Sequence, residues 1–371
     1  MTESLIQQLH NAPGKAVIAA TGGGSSAISA LLAVPGASRT LMEATVPYDP
    51  ASLASYIGGT PDQACSGRTA RALAMASFQR ARRLEPDESI VFGLGCTAAL
   101  TTDRARRGLD RCFVACQSID ETREYELHLS RTGRDRATQE MACARLILNV
   151  LAEAFGIAGV PLSLLPDESL FSHRQQAEPA WRELFSGHLA FTNHSIPKPR
   201  LLFPGAFNPL HEGHRAMAEV AAEITGTSPL LEISTFNVDK PPLDFMDMRA
   251  REEGLHHAFE FTFTNAPTFV AKAHLFPDAV FMVGSDTLAR IGQPKYYHNS
   301  TELRDLAIGE IRDLGVTFLC FGRLQGEQFM GVDEIALPPR LREISRGVPE
   351  ATFRMDMSSS SIRRNGESTA Q

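Results

Sequence analysis

The sequence predicts an α/β protein made of two α/β domains. Three observations carry that prediction. The chain has 371 residues, more than the roughly 100–200 of one ordinary domain. Short apolar runs alternate with amphipathic helical stretches in both halves, the pattern of a mainly parallel sheet covered by helices. A stretch from Gly159 to Arg200, holding Pro161, Pro166, Pro179, Pro197 and Pro199, separates the halves. The expected organisation is a first domain over 1–160, a linker or bridging segment over 161–198 and a second domain over 199–371.

In the first half, KAVIAA (15–20) is an apolar run that ends in TGGGSS and leads into the small-residue helical stretch AISALLAV. TARALAMASFQRARRL has the apolar spacing of a helix, and SIVFGLGC (89–96) and DRCFVACQS (110–118) read as further strands. ATQEMACARLILNVLAEAFG (137–156) is the clearest amphipathic helix, closed by Gly156. The bridging segment offers one short helical piece, AWRELFSGHL. In the second half, strands are expected at LLFPG (201–205), PLLEIST (229–235), DAVFMVG (278–284) and VTFLCFG (316–322), with helices between them. No repeat of solenoid length is present, and only SSSS (358–361) is low in complexity.

Composition excludes some function classes. With 43% hydrophobic and 21% charged residues the chain can bury ordinary cores. No apolar run approaches the roughly 18 residues of a membrane helix. The start, MTESLIQQLHNAPGK, lacks the basic and apolar regions of a signal peptide, so a cytoplasmic location is the default expectation. A net charge of −7 argues against a large nucleic-acid surface, yet leaves room for a small basic pocket for a nucleotide. The six cysteines show neither CxxC nor zinc-ligand spacing and are expected to be reduced and structural.

The stretch richest in chemistry is FPGAFNPLHEGH (203–214). A zinc protease helix places its histidines four apart as HExxH; here His211 and His214 are three apart, with Gly213 between them and no third ligand apparent, so no metal site is expected. A second reading leaves both histidines as satisfied residues at a helix start. A third follows from context. The strand ends at Gly205, and HRAMAEVAAEI begins a helix near His211. Unpaired N–H groups and the positive dipole end at a helix start favour an anion, and Gly213 would let a phosphate come close to the backbone.

Gly205-Ala206-Phe207-Asn208-Pro209-Leu210-His211-Glu212-Gly213-His214 resembles the HxGH signature of the nucleotidylyltransferase superfamily. MSSSSIRR (357–364) resembles its second signature, with Ser359, Ser360, Ile362 and Arg363 in the matching positions. NVDKPPLDFMDMRAREEGL (237–255) and VGSDTLARI (283–291) resemble segments of the nicotinamide and nicotinate mononucleotide adenylyltransferases, so the likeness spans about 199–364. It implies a Rossmann-like second domain with a parallel sheet that binds ATP with Mg²⁺. Gly205, Ala206, Phe207, Asn208, Gly213, Gly284, Asp286, Ser359, Ser360 and Ile362 would bind the nucleotide. His211, His214, Lys240 and Arg363 would carry catalysis, and Lys240 and Arg249 would face the mononucleotide. The reaction needs no protein nucleophile: the mononucleotide phosphate attacks the α-phosphorus of ATP, pyrophosphate leaves, and the protein supplies position and charge. Ala206 stands where relatives often carry Ser or Thr. Transfer to another phosphorylated acceptor, such as phosphopantetheine, and a non-catalytic nucleotide-binding role are the alternatives.

TGGGSS (21–26) is either a tight turn or an anion loop. The wider stretch around it, with Thr21-Gly22-Gly23, Val34-Pro35-Gly36-Ala37-Ser38 and Tyr48, together with GLGCTAAL (93–100) and RTGRDRATQEMACARLIL (131–148), resembles the CinA C-terminal family of nicotinamide-nucleotide amidases. The family's serine nucleophile falls on Ala19 and its lysine near Leu53, so this domain is expected to be inactive as an amidase. The resemblance also implies a homo-oligomer formed through this domain, and the two resemblances together point to a pyridine mononucleotide as the substrate of the second domain.

Overall fold

The computed structural model describes residues 2–85, 90–103, 108–193, 200–237, 240–326 and 328–354. The chain divides into two compact units: Met1–Arg182 with Val238–Asp247, and Glu183–Asn237 with Met248–Gln371. No helix among the described residues is long and apolar enough to cross a membrane.

Unit 1 contains α1 (Thr2–Asn11), β1 (Lys15–Thr21), α2 (Ser26–Ala33), β2 (Leu41–Thr45), α3 (Pro50–Ile57), α4 (Gly67–Leu84), β3 (Val91–Ala99), β4 (Asp110–Gln117), β5 (Glu121–Leu129), α5 (Arg136–Ala154) and β6 (Ser169–Gln176). Helix starts follow local chemistry: Ser66 accepts from Thr69 N at 3.2 Å ahead of α4, and Asp135 accepts from Thr138 N at 2.8 Å ahead of α5. The strands form one sheet in the order β2-β1-β3-β4-β5-β6. Leu5, Leu9, Leu31, Cys143 and Ile147 of α1, α2 and α5 share one buried cluster with Ile18, Leu94 and Val114 of the sheet. On α4, Ala70 and Ala74 cluster with Phe113 and Ala115.

This sheet departs from the mainly parallel one expected. β1 runs parallel to β2 and β3, but β3–β4, β4–β5 and β5–β6 are antiparallel. For β4 and β5 the reason is connection length. Only residues 118–120 join β4 to β5, and a parallel crossover takes a dozen residues or more. Part of the stretch expected as a linker, 161–198, is the sheet's sixth strand, β6. The six cysteines are all free, and Cys65 alone among them is not fully buried.

Helix α6 (Pro179–Ser186) follows, and unit 2 then builds β7 (Leu201–Pro204), α7 (Glu212–Thr225), β8 (Leu230–Ser234), α8 (Phe245–Leu255, of which Phe245 to Asp247 count with unit 1), β9 (Phe261–Thr264), α9 (Phe269–Leu275), β10 (Val280–Gly284), α10 (Ser285–Ile291), α11 (Thr301–Asp313), β11 (Thr317–Phe321), the short pair β12 (Arg323–Gln325) and β13 (Gln328–Met330), α12 (Pro339–Glu343) and β14 (Ser345–Val348). Its main sheet has the order β14-β11-β10-β7-β8-β9 and is parallel throughout. The four expected strands are all present. Phe281 and Phe318 are fully buried neighbours in its core, each contributing about 1.5–3 kcal/mol by leaving water. A buried ion pair ties β8 to α9: Lys272 Nζ donates to both carboxylate oxygens of Glu232, at 2.6 and 2.7 Å. Thr264 of β9 donates a further hydrogen bond to the same carboxylate.

The strand order matters for function. The first strand of this unit, β7, lies next to the fourth, β10, and the chain builds outward in opposite directions from that pair. In an open parallel sheet the carboxyl ends flanking such a reversal leave a crevice where ligands bind.

Candidate active site

The histidine motif begins where β7 ends, at that crevice. Gly205 N donates to Glu232 O at 2.9 Å, which fixes the first residue of the turn. A side chain at Gly205 would collide with the Phe207 ring, 2.6 Å from the Cβ position. Phe207 takes φ 44°, and the turn delivers His211 to the N-cap and His214 to the first turn of the 14-residue helix α7. At Gly284, the end of β10, a Cβ would meet nothing within 4 Å, so that edge of the crevice has open space.

Four rings meet here. The imidazoles of His211 and His214 stack with centroids 3.7 Å apart. Phe207 meets His214 edge-on at 5.0 Å, and Phe203 meets it at 5.8 Å. The His211 N–H donates to Nδ1 of His214 at 3.3 Å, while Nδ1 of His211 is buried without a hydrogen-bond partner. Burial pushes His211 below its ordinary basicity against the upward pull of Glu212. Burial, then the neighbouring His211, push His214 down to about 4. At neutral pH both rings are therefore uncharged, and each carries one N–H that can donate to an oxygen.

The other expected site residues are placed as follows. Asp286, just after β10, accepts from Arg323 at 2.7 Å and from Gln325 at 3.1 Å, both on β12. Arg249 pairs with Glu252 at 2.5 Å, one turn along α8. Lys240 is exposed and lies in the stretch 238–247 that counts with unit 1. There Asp244 accepts from Arg71 at 2.8 Å, Phe245 N donates to Thr122 at 3.1 Å, and the Phe245 ring stacks on Trp181 at 5.9 Å. Ala206 and Asn208 are part-exposed and Gly213 is buried. Ser359, Ser360, Ile362 and Arg363 lie outside the described residues. The structure thus gathers the histidines with Phe203 and Phe207, and gives Arg249 and Asp286 ion-pair partners of their own. Phe207, expected at the nucleotide, has its side chain in the interior. Among the described residues no group of three or more His, Cys, Asp or Glu is able to hold a metal ion.

In unit 1 the TGGGSS loop is occupied from within. The carboxylate of Glu140 on α5 accepts from Gly24 N at 2.6 Å, Ser26 N at 3.0 Å, Ser26 Oγ at 3.0 Å and Ser25 Oγ at 3.2 Å. Burial opposes its ionisation, but the hydrogen bonds outweigh burial and hold the carboxyl below its usual range. Sequence reasoning missed this partner, because nothing local joins residues so far apart. Ala19 and Leu53 belong to one closed apolar cluster with Ile57, Ala72 and Leu73.

Comparison with known proteins bears on both units. Residues 202–365 match the cytidylyltransferase-like family model. That family is one of nucleotidyltransferases, and the match over 202–365 is consistent with a transferase. No curated protein matches the chain. Solved structures of CinA-type proteins are similar to part of it. The competence/damage inducible protein CihA from Agrobacterium tumefaciens is 18% identical, covering 41% of this chain and 94% of its own at a TM-score of 0.36. A CinA superfamily protein from Escherichia coli is 14% identical over 41% of this chain and 87% of its own, TM-score 0.31. A competence or damage-inducible protein from Enterobacter asburiae is 16% identical over 42% and 98%, TM-score 0.34.

Proposed function

We propose that the cytidylyltransferase-like unit transfers an adenylyl group from ATP to a pyridine mononucleotide, giving a dinucleotide and pyrophosphate. The observation that carries the reading is the stacked, uncharged pair His211 and His214 at the start of α7, beside the β7–β10 reversal. In the reaction, an oxygen of the mononucleotide phosphate bonds to the α-phosphorus of ATP while the bond from that phosphorus to the β-phosphate oxygen breaks. Imidazole N–H groups and the α7 amino terminus stabilise the charge on the α-phosphate oxygens as they rearrange. Magnesium would arrive with the triphosphate as part of the substrate, an ion that is held by phosphates and water with few protein ligands. The pyridine acceptor rests on the sequence resemblances of both halves.

The experiment supplies the purified chain with ATP, Mg²⁺ and nicotinamide or nicotinate mononucleotide, and follows dinucleotide and pyrophosphate. Product is expected, and His214→Ala is expected to lower kcat by about 10²–10³, as for loss of one transition-state donor. The family description favours a second reading, cytidylyl transfer from CTP to a phosphorylated alcohol. Pyrophosphate release with CTP and such an acceptor, but not with ATP and a mononucleotide, would decide for it.

A further inference from the structure

The Phe207 side chain is only 4% exposed, so its ring is not presented to a ligand. Its φ of 44° lies in a region that bulky residues seldom adopt. That conformation lays the ring over Gly205, where a Cβ would come within 2.6 Å of it. From there it meets Phe203 at 5.2 Å and 82°, and His214 at 5.0 Å and 70°. Two phenyl rings and the stacked His211 ring therefore border the His214 imidazole. The remaining constraint is polar. Because the His211 N–H donates to Nδ1 of His214, Nδ1 must present a lone pair, and in the neutral ring the proton sits on Nε2.

We propose that Phe207, together with Phe203, is a positioning residue that holds the His214 imidazole against the His211 backbone N–H, fixing the Nε2–H tautomer and making Nε2 the donor to a phosphate oxygen. The phosphate contact rests on the function proposed above; the tautomer does not. The titratable neighbours are the His211 ring, against His214, and Glu212, beside His211. The phenyl rings add no charge and act by excluding water and by shape.

The test is long-range ¹H–¹⁵N correlation of the imidazoles across a pH titration of the full chain. Wild-type His214 should show a protonated Nε2 and an acceptor Nδ1, and should titrate at about 4. Phe207→Ala and Phe207→Leu should mix the two tautomers and raise the midpoint by on the order of one pH unit, as water reaches the ring. The acid limb of the kcat–pH profile should move the same way, with kcat falling more than KM changes. If Phe207→Ala does not fold, Phe207→Leu and Phe203→Leu carry the comparison. A wild-type Nδ1–H tautomer, a midpoint near 6.5, or Phe207 variants with unchanged spectra would overturn the proposal. A wild-type Nε2–H spectrum in a chain that transfers no nucleotide would overturn the functional reading while supporting the role of the rings.

Discussion

His214 has an ordinary basicity of 6.5 before folding and about 4 after it, so between those values the unfolded chain takes up a proton that the folded chain does not. Stability therefore depends on pH with a definite sign. Above about pH 6.5 both states are neutral and the ring costs nothing; as pH falls toward 4, the unfolded state gains a proton and stability is lost. His211 is shifted in the same direction. We expect the urea midpoint of unit 2 to fall over this window, and His214→Asn to flatten the slope; an unchanged slope in the variant would assign the acid sensitivity elsewhere. Single residues also show what the sequence could tell. The two histidines were legible because they lie within one short motif, and the inward ring of Phe207 was not, since its φ belongs to the folded turn. Glu252 stands three residues from Arg249, a pairing that helical spacing suggests. The partner of Asp286, Arg323, sits on a strand that only the tertiary fold brings near.

Elements were legible where burial made them apolar. β7, β10 and β11 are almost continuous apolar runs, as expected for strands of a parallel sheet covered on both faces, and β8 is apolar but for Glu232 and Ser234. β5, with the sequence ETREYELHL, and β6, with SLFSHRQQ, carry charges and amides along much of their length. β9 and β14 are four residues each. Such strands give little periodic signal, and their pairing is decided by the turns and neighbours that join them. The α2 start is a similar case. TGGGSS has the form of an anion loop, and the fold supplies the anion itself through Glu140. Glu140→Ala would leave two backbone N–H groups and two hydroxyls without that carboxylate, and hydrogen bonds to a charged group contribute about 1.5–3 kcal/mol each at most. We expect unit 1 to lose about 2–4 kcal/mol in total, with Glu140→Gln losing less because one amide oxygen can still accept. Trp181, the chain's single tryptophan, is buried and stacks on Phe245 of the same unit, so its fluorescence reports that transition. A midpoint unmoved in both variants would mean that Glu140 does not hold the loop.

On the scale of the whole molecule, the chain joins a parallel-sheet unit that matches the cytidylyltransferase-like family to a mixed-sheet unit in which Ala19 and Leu53 stand where the sequence resemblance would expect a serine and a lysine. Both positions have a definite setting in the structure. Ala19 is fully buried on β1, paired with Gly95 on one side and Thr45 on the other. Leu53 is 4% exposed, and both sit in the same apolar cluster. An amide hydrolase needs a hydroxyl that substrate can reach and a base to take its proton; this cluster offers neither the groups nor the access. Restoring the hydroxyl alone with Ala19→Ser should therefore fail, because the new oxygen would stay buried beside Leu53 and find no base. The chain should consume nicotinamide mononucleotide only when a nucleoside triphosphate is present, and should release no ammonia from it. Ala19→Ser and the double variant Ala19→Ser with Leu53→Lys should behave alike in an ammonia assay, since a lysine placed among Ile57, Ala72 and Leu73 would have to be desolvated. Ammonia from the unaltered chain would mean that unit 1 hydrolyses amides through residues other than those at positions 19 and 53; ammonia from the double variant alone would show that the fold kept an open substrate path and lost only the two side chains.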